Sequence, residues 1–250
     1  MSGPMLDPPS EGWNRDLLLP TDQPQSVSAV GEPPNHGDEV YLEVSRSTFQ
    51  GRGSLLWLGM ALIAFDIYFL ALQIEMWPSV WFNWLLSGVT LWFGVHCIRL
   101  DIAPPRDEPI RFNRMRRKLY VYGFQQASGP LHKRKRSRIT AQEYDWDDVR
   151  AEFCRIYVPG MAYNSRVNLA IVKPGTNQVM ERFLLGHGLA AETRWHMIIA
   201  YMQQGPEAVP KYDRPPRDWN NEDPELNFAR RFAPKVQWPD AMDIESRTAP

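Results

Sequence analysis

Cysteine is scarce in this sequence, with two in 250 residues, Cys97 and Cys154. Two thiols exclude a disulfide-built scaffold. One lies in an apolar stretch and the other in an expected strand, so neither a disulfide nor a shared metal is expected. Two buried free thiols fit a reducing compartment. Catalytic signatures are absent as well: there is no GxSxG, HExxH, P-loop or glycine-rich dinucleotide fingerprint. His36, His96, His132, His187 and His196 are scattered, and His187, in Gly-His-Gly, has no companion at ligand spacing and reads as a turn residue. Glu143, Asp145, Asp147 and Asp148 do not follow the spacing of a calcium loop and read as a solvated turn. No catalytic residue, metal or cofactor is expected, and the chain reads as a non-enzyme. Charge of one sign is not in excess either, since 28 Lys and Arg stand against 29 Asp and Glu. That balance argues against a nucleic-acid partner.

Long apolar runs are confined to one place. Gly53 to Ile74 carries a single charged residue, Asp66, and Trp81 to Ile98 carries none. Twenty helical residues span about 30 Å, the thickness of a bilayer's hydrocarbon layer. Pro78, between the two runs, fits a turn. A transmembrane helical hairpin over 51–100 follows. The linking loop has Glu75 and no Lys or Arg, whereas Arg46, Arg52, Arg99 and Arg106 flank the outer ends. The positive-inside rule then puts both termini in the cytoplasm. Asp66 is costly at mid-bilayer unless it is paired, and Ser87, Thr90 or a second copy of the chain are candidate partners. Packing between helices, with a homo-oligomer through the hairpin as one form of it, is the expected role.

The segments around the hairpin differ. Residues 1–50 form a polar, proline-containing leader without a signal peptide, expected to be disordered or loosely packed, with the Leu17-Leu18-Leu19 run able to dock. Residues 109–205 read as a small α+β domain. A hairpin joins Ile110-Arg111-Phe112 to Leu119–Tyr122, further strands cover Ala151–Val158, Asn168–Lys173 and Gln178–Leu185, and a helix runs from Leu189 to Gln204. Trp146 and Val149 are expected to turn inward. The fold class is therefore an N-terminal transmembrane hairpin followed by a small antiparallel-sheet domain with a C-terminal helix.

Residues 206–250 form a proline-rich acidic tail, in which Glu225 to Phe232 favours a short helix. Trp219 and Trp238 are expected to pack back on the domain or to anchor a partner beside Glu222, Asp223, Glu225 and Asp240. The basic run Lys133, Arg134, Lys135 and Arg136 reads as a solvated loop or one facing anionic membrane lipids.

The strand order and the Trp146-Asp147-Asp148-Val149 segment resemble pleckstrin-homology-like domains of bacterial membrane proteins. Pro109 to Arg114, Arg117 to Tyr122 and Trp146 to Val149 also resemble a family of uncharacterised bacterial proteins. In these a two-helix hairpin precedes a "PIRFNR…RRKVY" segment, with Leu119 here in place of the valine. That resemblance, over about residues 41–204, implies a place beside type VI secretion components and their toxic effectors. The implied function is an immunity protein that neutralises an effector by direct contact. The alternatives are an accessory or loading protein of the secretion system, or a membrane-surface scaffold. An acidic tail suits a basic toxin.

Overall fold

The structure, a computed structural model, describes residues 3–24, 28–46, 52–76, 81–125, 138–157, 164–222 and 227–250. Among these the segment before the hairpin is part of the domain, which corrects the expectation of a loose leader. It supplies β1 (Trp13–Asp16), β2 (His36–Gly37) and β3 (Tyr41–Val44). The short β3 alternates, with Leu42 and Val44 entering the core while Tyr41 and Glu43 face the other way. Leu17 is buried and Leu18 packs beside it, its carbonyl accepting from the Trp195 indole at 2.9 Å.

After β3 the chain leaves the sheet as α1 (Ser54–Met76) and α2 (Trp81–Ile102), then returns as β4 (Ile110–Asn113), which pairs antiparallel with β3 from Val44↔Ile110 to Tyr41↔Asn113. The hairpin is thus inserted between two neighbouring strands of one sheet. Both of its open ends meet the domain at the same place.

The remaining strands are β5 (Lys118–Gln125), β6 (Arg138–Asp145), β7 (Val149–Ile156), β8 (Asn164–Val172) and β9 (Val179–His187). One antiparallel sheet has the order β2-β3-β4-β5-β6 and the other β1-β7-β8-β9. The β4–β5 turn puts Arg117 in the left-handed region at φ 52°. Helix α3 (Gly188–Gln204) packs on the second sheet, and the shared core gathers Leu42, Phe112, Leu119, Phe153, Leu169 and Ile198. Trp146 lies at its centre, edge-on to Phe112 with centroids 5.9 Å apart and 5.5 Å from Trp195. The architecture is α+β, as expected. Strand β6 was not expected, because its polar side chains hide its alternation at the sheet edge. Cys97 and Cys154 are buried free thiols in separate elements.

The tail is ordered over its described residues. α4 (Phe228–Phe232) lies against α2, and α5 (Asp240–Arg247) lies against β4. Proline does not prevent α5, because Pro239 precedes its first turn, where a missing N–H costs nothing. The tail covers the face of the first sheet that points away from the core. Tyr120, Tyr122 and Trp238 form a second apolar cluster there, with the Tyr122 and Trp238 rings 5.3 Å apart. Alternate residues of β5 are therefore buried on opposite faces, Leu119 and Val121 inward and the tyrosines outward.

Both hairpin helices are long and apolar enough to cross a membrane. Only 17% and 22% of their most apolar windows are buried within the chain, so they are not core helices. At mid-hairpin Asp66 is buried and accepts from Ser87 Oγ at 2.9 Å, one of the pairings expected from sequence. Nearer the domain the helices approach closely at glycines: a Cβ on Gly59 would stand 2.5 Å from the Gly94 carbonyl oxygen.

Candidate functional site: an acidic cleft between sheet and tail

The outward face of β3 and β4 sets up the site. Glu43 and Arg111 are a register pair, so their side chains emerge side by side. Arg111 Nε donates to Glu43 Oε2 at 2.6 Å, and Arg111 Nη1 donates to Asp243 Oδ1 at 2.7 Å and to Ser246 Oγ at 2.8 Å. Its guanidinium also lies 4.5 Å from the Trp238 ring centroid. One buried arginine thus ties α5 to the sheet. Asn113 Nδ2 adds bonds to the carbonyls of Ser246 and Thr248, and Lys118 Nζ donates to Glu245 at 2.9 Å.

A cleft of about 640 Å³ lies between this face and the tail. Tyr41, Glu43, Asp107 and Arg111 line the domain side, and Asp218, Trp238, Asp240, Asp243 and Arg247 line the tail side. Five carboxylates face two arginines, and those arginines are already engaged. Arg111 serves Glu43 and Asp243, and Arg247 lies 3.1 Å from Asp243. Asp218 accepts from the backbone N–H groups of Asn220 and Asn221 and so holds the tail's wall in a turn. Asp240 is exposed, with no ion pair among the described residues. Asp107 is buried and accepts from Ser45 Oγ at 2.7 Å and Asn35 Nδ2 at 3.1 Å, yet burial still holds its carboxyl above the usual carboxylate range.

Two buried polar atoms at the lining lack a hydrogen-bond partner among the described residues, the Trp238 indole N–H and Asn35 Oδ1. One is a donor and the other an acceptor, the pair that a peptide group could satisfy. The cleft is therefore suited to hold a cationic, hydrogen-bonding segment. Among the described residues no group of three or more His, Cys, Asp or Glu is placed to hold a metal. His187 Nδ1 lies 3.3 Å from Asn164 Oδ1, and burial lowers its pKa.

Of the residues singled out in the sequence, Trp238 and Asp240 line the cleft. Trp238 packs back on the sheet, its ring buried by Arg111 and Tyr122. Trp219 lies beside two guanidinium groups, Arg230 at 3.8 Å and Arg217 at 5.0 Å. Glu222 is exposed beside it, its carboxylate accepting from the Asp218 N–H. Asp223, Glu225 and the basic residues Lys133, Arg134, Lys135 and Arg136 lie outside the described residues. The pair Gln125↔Arg138, which flanks the basic run, ends the β5–β6 ladder. Sequence reasoning missed Glu43, Asp107 and Asp218 as site residues. The one available signal was the placement of Glu43 and Arg111 between apolar neighbours in short strands.

The profile of a family of unknown function (DUF6708) matches residues 87–229, from within α2 to the start of α4. The match covers more than half of the chain, which belongs to that family. No curated protein and no solved structure matches.

Proposed function

We propose that this member of the DUF6708 family is a membrane-anchored binding protein that takes a basic segment of a partner protein into the acidic cleft. The observation that carries the reading is the joint placement of hairpin and cleft. Two helices with largely uncovered apolar faces leave the domain between β3 and β4, and those same strands supply Glu43 and Arg111 to the cleft wall. The anchor and the recognition surface share one rigid sheet. The arginines at the domain end of the hairpin, Arg46, Arg52, Arg99 and Arg106, support a cytoplasmic domain on a bacterial inner membrane. Four antiparallel strands, three more and a closing helix, β3 to β9 and α3, support a pleckstrin-homology-like core.

The role we favour is neutralisation of a toxic secreted effector, as the resemblance of the Pro109–Arg114 and Arg117–Tyr122 segments implies. Excess carboxylate speeds encounter with a basic surface and disfavours acidic competitors. The test is a crosslinked pull-down of the full chain, extracted from its own membranes in detergent, with partners identified by mass spectrometry. Capture of a toxin-domain protein, lost in an Asp218→Lys, Asp240→Lys variant that keeps its fold, supports the reading. Capture of secretion-apparatus subunits alone replaces it with the accessory role. Capture unaffected by the charge reversals removes the cleft from recognition.

A further inference from the structure

The hairpin leaves the domain through a built collar. Asp101, near the end of α2, accepts from the backbone N–H groups of Gly53 at 2.9 Å and Leu56 at 2.8 Å, and so caps the start of α1 from the neighbouring helix. Arg52 Nη1 and Nη2 donate to the carbonyls of Pro105 and Pro104, and burial pulls its guanidinium down to about 10. The tail joins this collar. Asn227 Nδ2 donates to the Arg52 carbonyl at 2.9 Å while its side-chain oxygen caps α4 at Arg230 N. Arg106, from the segment after α2, donates to the carbonyls of Asn220 and Arg231.

Helix α4 is thereby held at the level of the first turn of α1. Its Phe228 ring lies edge-on to Trp57, centroids 5.9 Å apart. Ala229 faces inward and is buried, whereas Phe228 and Phe232, four residues apart and on one face, are exposed, Phe232 by 66%. Two exposed phenylalanines on a five-residue helix make poor sense in water. Here they continue the exposed apolar belt of the hairpin, directly beside Trp57. Arg231 and, on α2, Arg99 are exposed nearby with no ion pair among the described residues.

We propose that α4 is an interfacial foot, with Phe228 and Phe232 set into the headgroup–acyl boundary and Arg231 and Arg99 facing anionic headgroups. This rests on the membrane reading above and extends it, since it makes the tail as well as the hairpin a lipid contact. Apolar rings bordered by arginine are the composition that lies in an interface. With α4 seated there, the collar fixes how the domain stands on the membrane.

The test uses the full chain in nanodiscs of phosphatidylcholine and phosphatidylglycerol, with Cys97→Ala and Cys154→Ala removing the native thiols. An environment-sensitive fluorophore is attached in turn through Phe232→Cys, Leu85→Cys and Ile244→Cys. Position 85 reports the hairpin. Position 244, exposed on α5, reports the tail away from the collar. Spin-labelled lipids then quench by depth. The expected result is quenching of the 85 probe by acyl-chain labels, and quenching of the 232 probe by shallow labels several-fold above that of the 244 probe. A 232 probe quenched no more than the 244 probe, with the 85 probe still in lipid, overturns the foot and leaves the anchor standing. An unquenched 85 probe overturns both. Removing phosphatidylglycerol is expected to weaken quenching at 232 and not at 85.

Discussion

Replacing Arg111 by methionine should undock α5 from the sheet without unfolding the core. The guanidinium is almost fully buried, and Glu43 beside it is only 17% exposed at its side chain. Removing one partner of such a pair strands the other in low dielectric, at a cost of about 3–5 kcal/mol. Asp243 contributes little to that sum, being 34% exposed and retaining Arg247 at 3.1 Å. Methionine keeps the apolar contact with Trp238 and loses the cation–π attraction, about 1 kcal/mol. The simplest relief is for α5 to swing away and let water reach Glu43. The opening free energy of α5 should therefore fall by about 3 kcal/mol, a loss of roughly 100-fold in protection. Hydrogen exchange on peptides spanning 240–247 in the full chain reads this directly. Adding Glu43→Gln should restore most of the protection, because no unpaired charge then remains, and Asp243→Asn should not. Protection within threefold of the parent, or equal rescue by both second changes, would refute the view that the Glu43–Arg111 pair holds the tail.

Other outcomes follow from the same contacts. Burial raises the Asp107 carboxyl, so its charged form is disfavoured in the fold and the associated stability is lost as pH rises through the folded value. Asp107→Asn is expected to raise the melting temperature at neutral pH and to leave it unchanged in acid. The hydrogen bond from Lys118 lowers the Glu245 carboxyl, and Glu245 raises Lys118. This tail contact is thus present above the ordinary Glu pKa and below the ordinary Lys value. The protection of amides 245–248, measured against their intrinsic exchange rates at each pH, should fall outside that window, and this change should vanish in Glu245→Gln. Gly59→Val would drive a side chain into the Gly94 carbonyl, and cysteine crosslinking between the facing helices near residues 63 and 94 should drop severalfold. Asp66→Asn keeps an acceptor for Ser87 and removes a charge that costs about 2.5–3.5 kcal/mol at a helix centre, so membrane insertion of the hairpin in a translation assay should improve.

Elements with a local signature were legible in the sequence. The two apolar runs on either side of Pro78 could only be a pair of apolar helices, and Leu119–Tyr122 and Leu189–Gln204 carried clear strand and helix periods. Ser87 could be named as a partner for Asp66 because little else polar lies in the second segment. Strands β1 to β3 were not legible, because each has four residues or fewer and owes its burial to partners far along the chain. Trp13 meets Cys154 and Val44 meets Ile110. The cleft was hidden for the same reason. Asp240 and Trp238 were visible as an acid and an aromatic, but Glu43 and Arg111 became neighbours only once the register of β3 on β4 was known. The tail's docking rested on a choice between packing and partner binding that composition alone left open.

The insertion of the hairpin between β3 and β4 also dictates an order of assembly. A ribosome releases β1, β2 and β3 before the apolar helices, and their partners β7 and β4 only afterwards. Leu42 and Val44 therefore have no partner strand beside them until the whole hairpin has been synthesised. Closing a gap of more than sixty residues would ordinarily carry a large entropic cost, but the packed helices return both ends of the gap to one spot. Under the proposed membrane anchoring, insertion in the bilayer becomes a checkpoint for folding of the domain. It also gives a route to a form without the hairpin: joining Arg52 to Ala103 through a short glycine-rich bridge should keep β3 beside β4 and leave the domain, cleft included, with α4 as its sole proposed lipid contact.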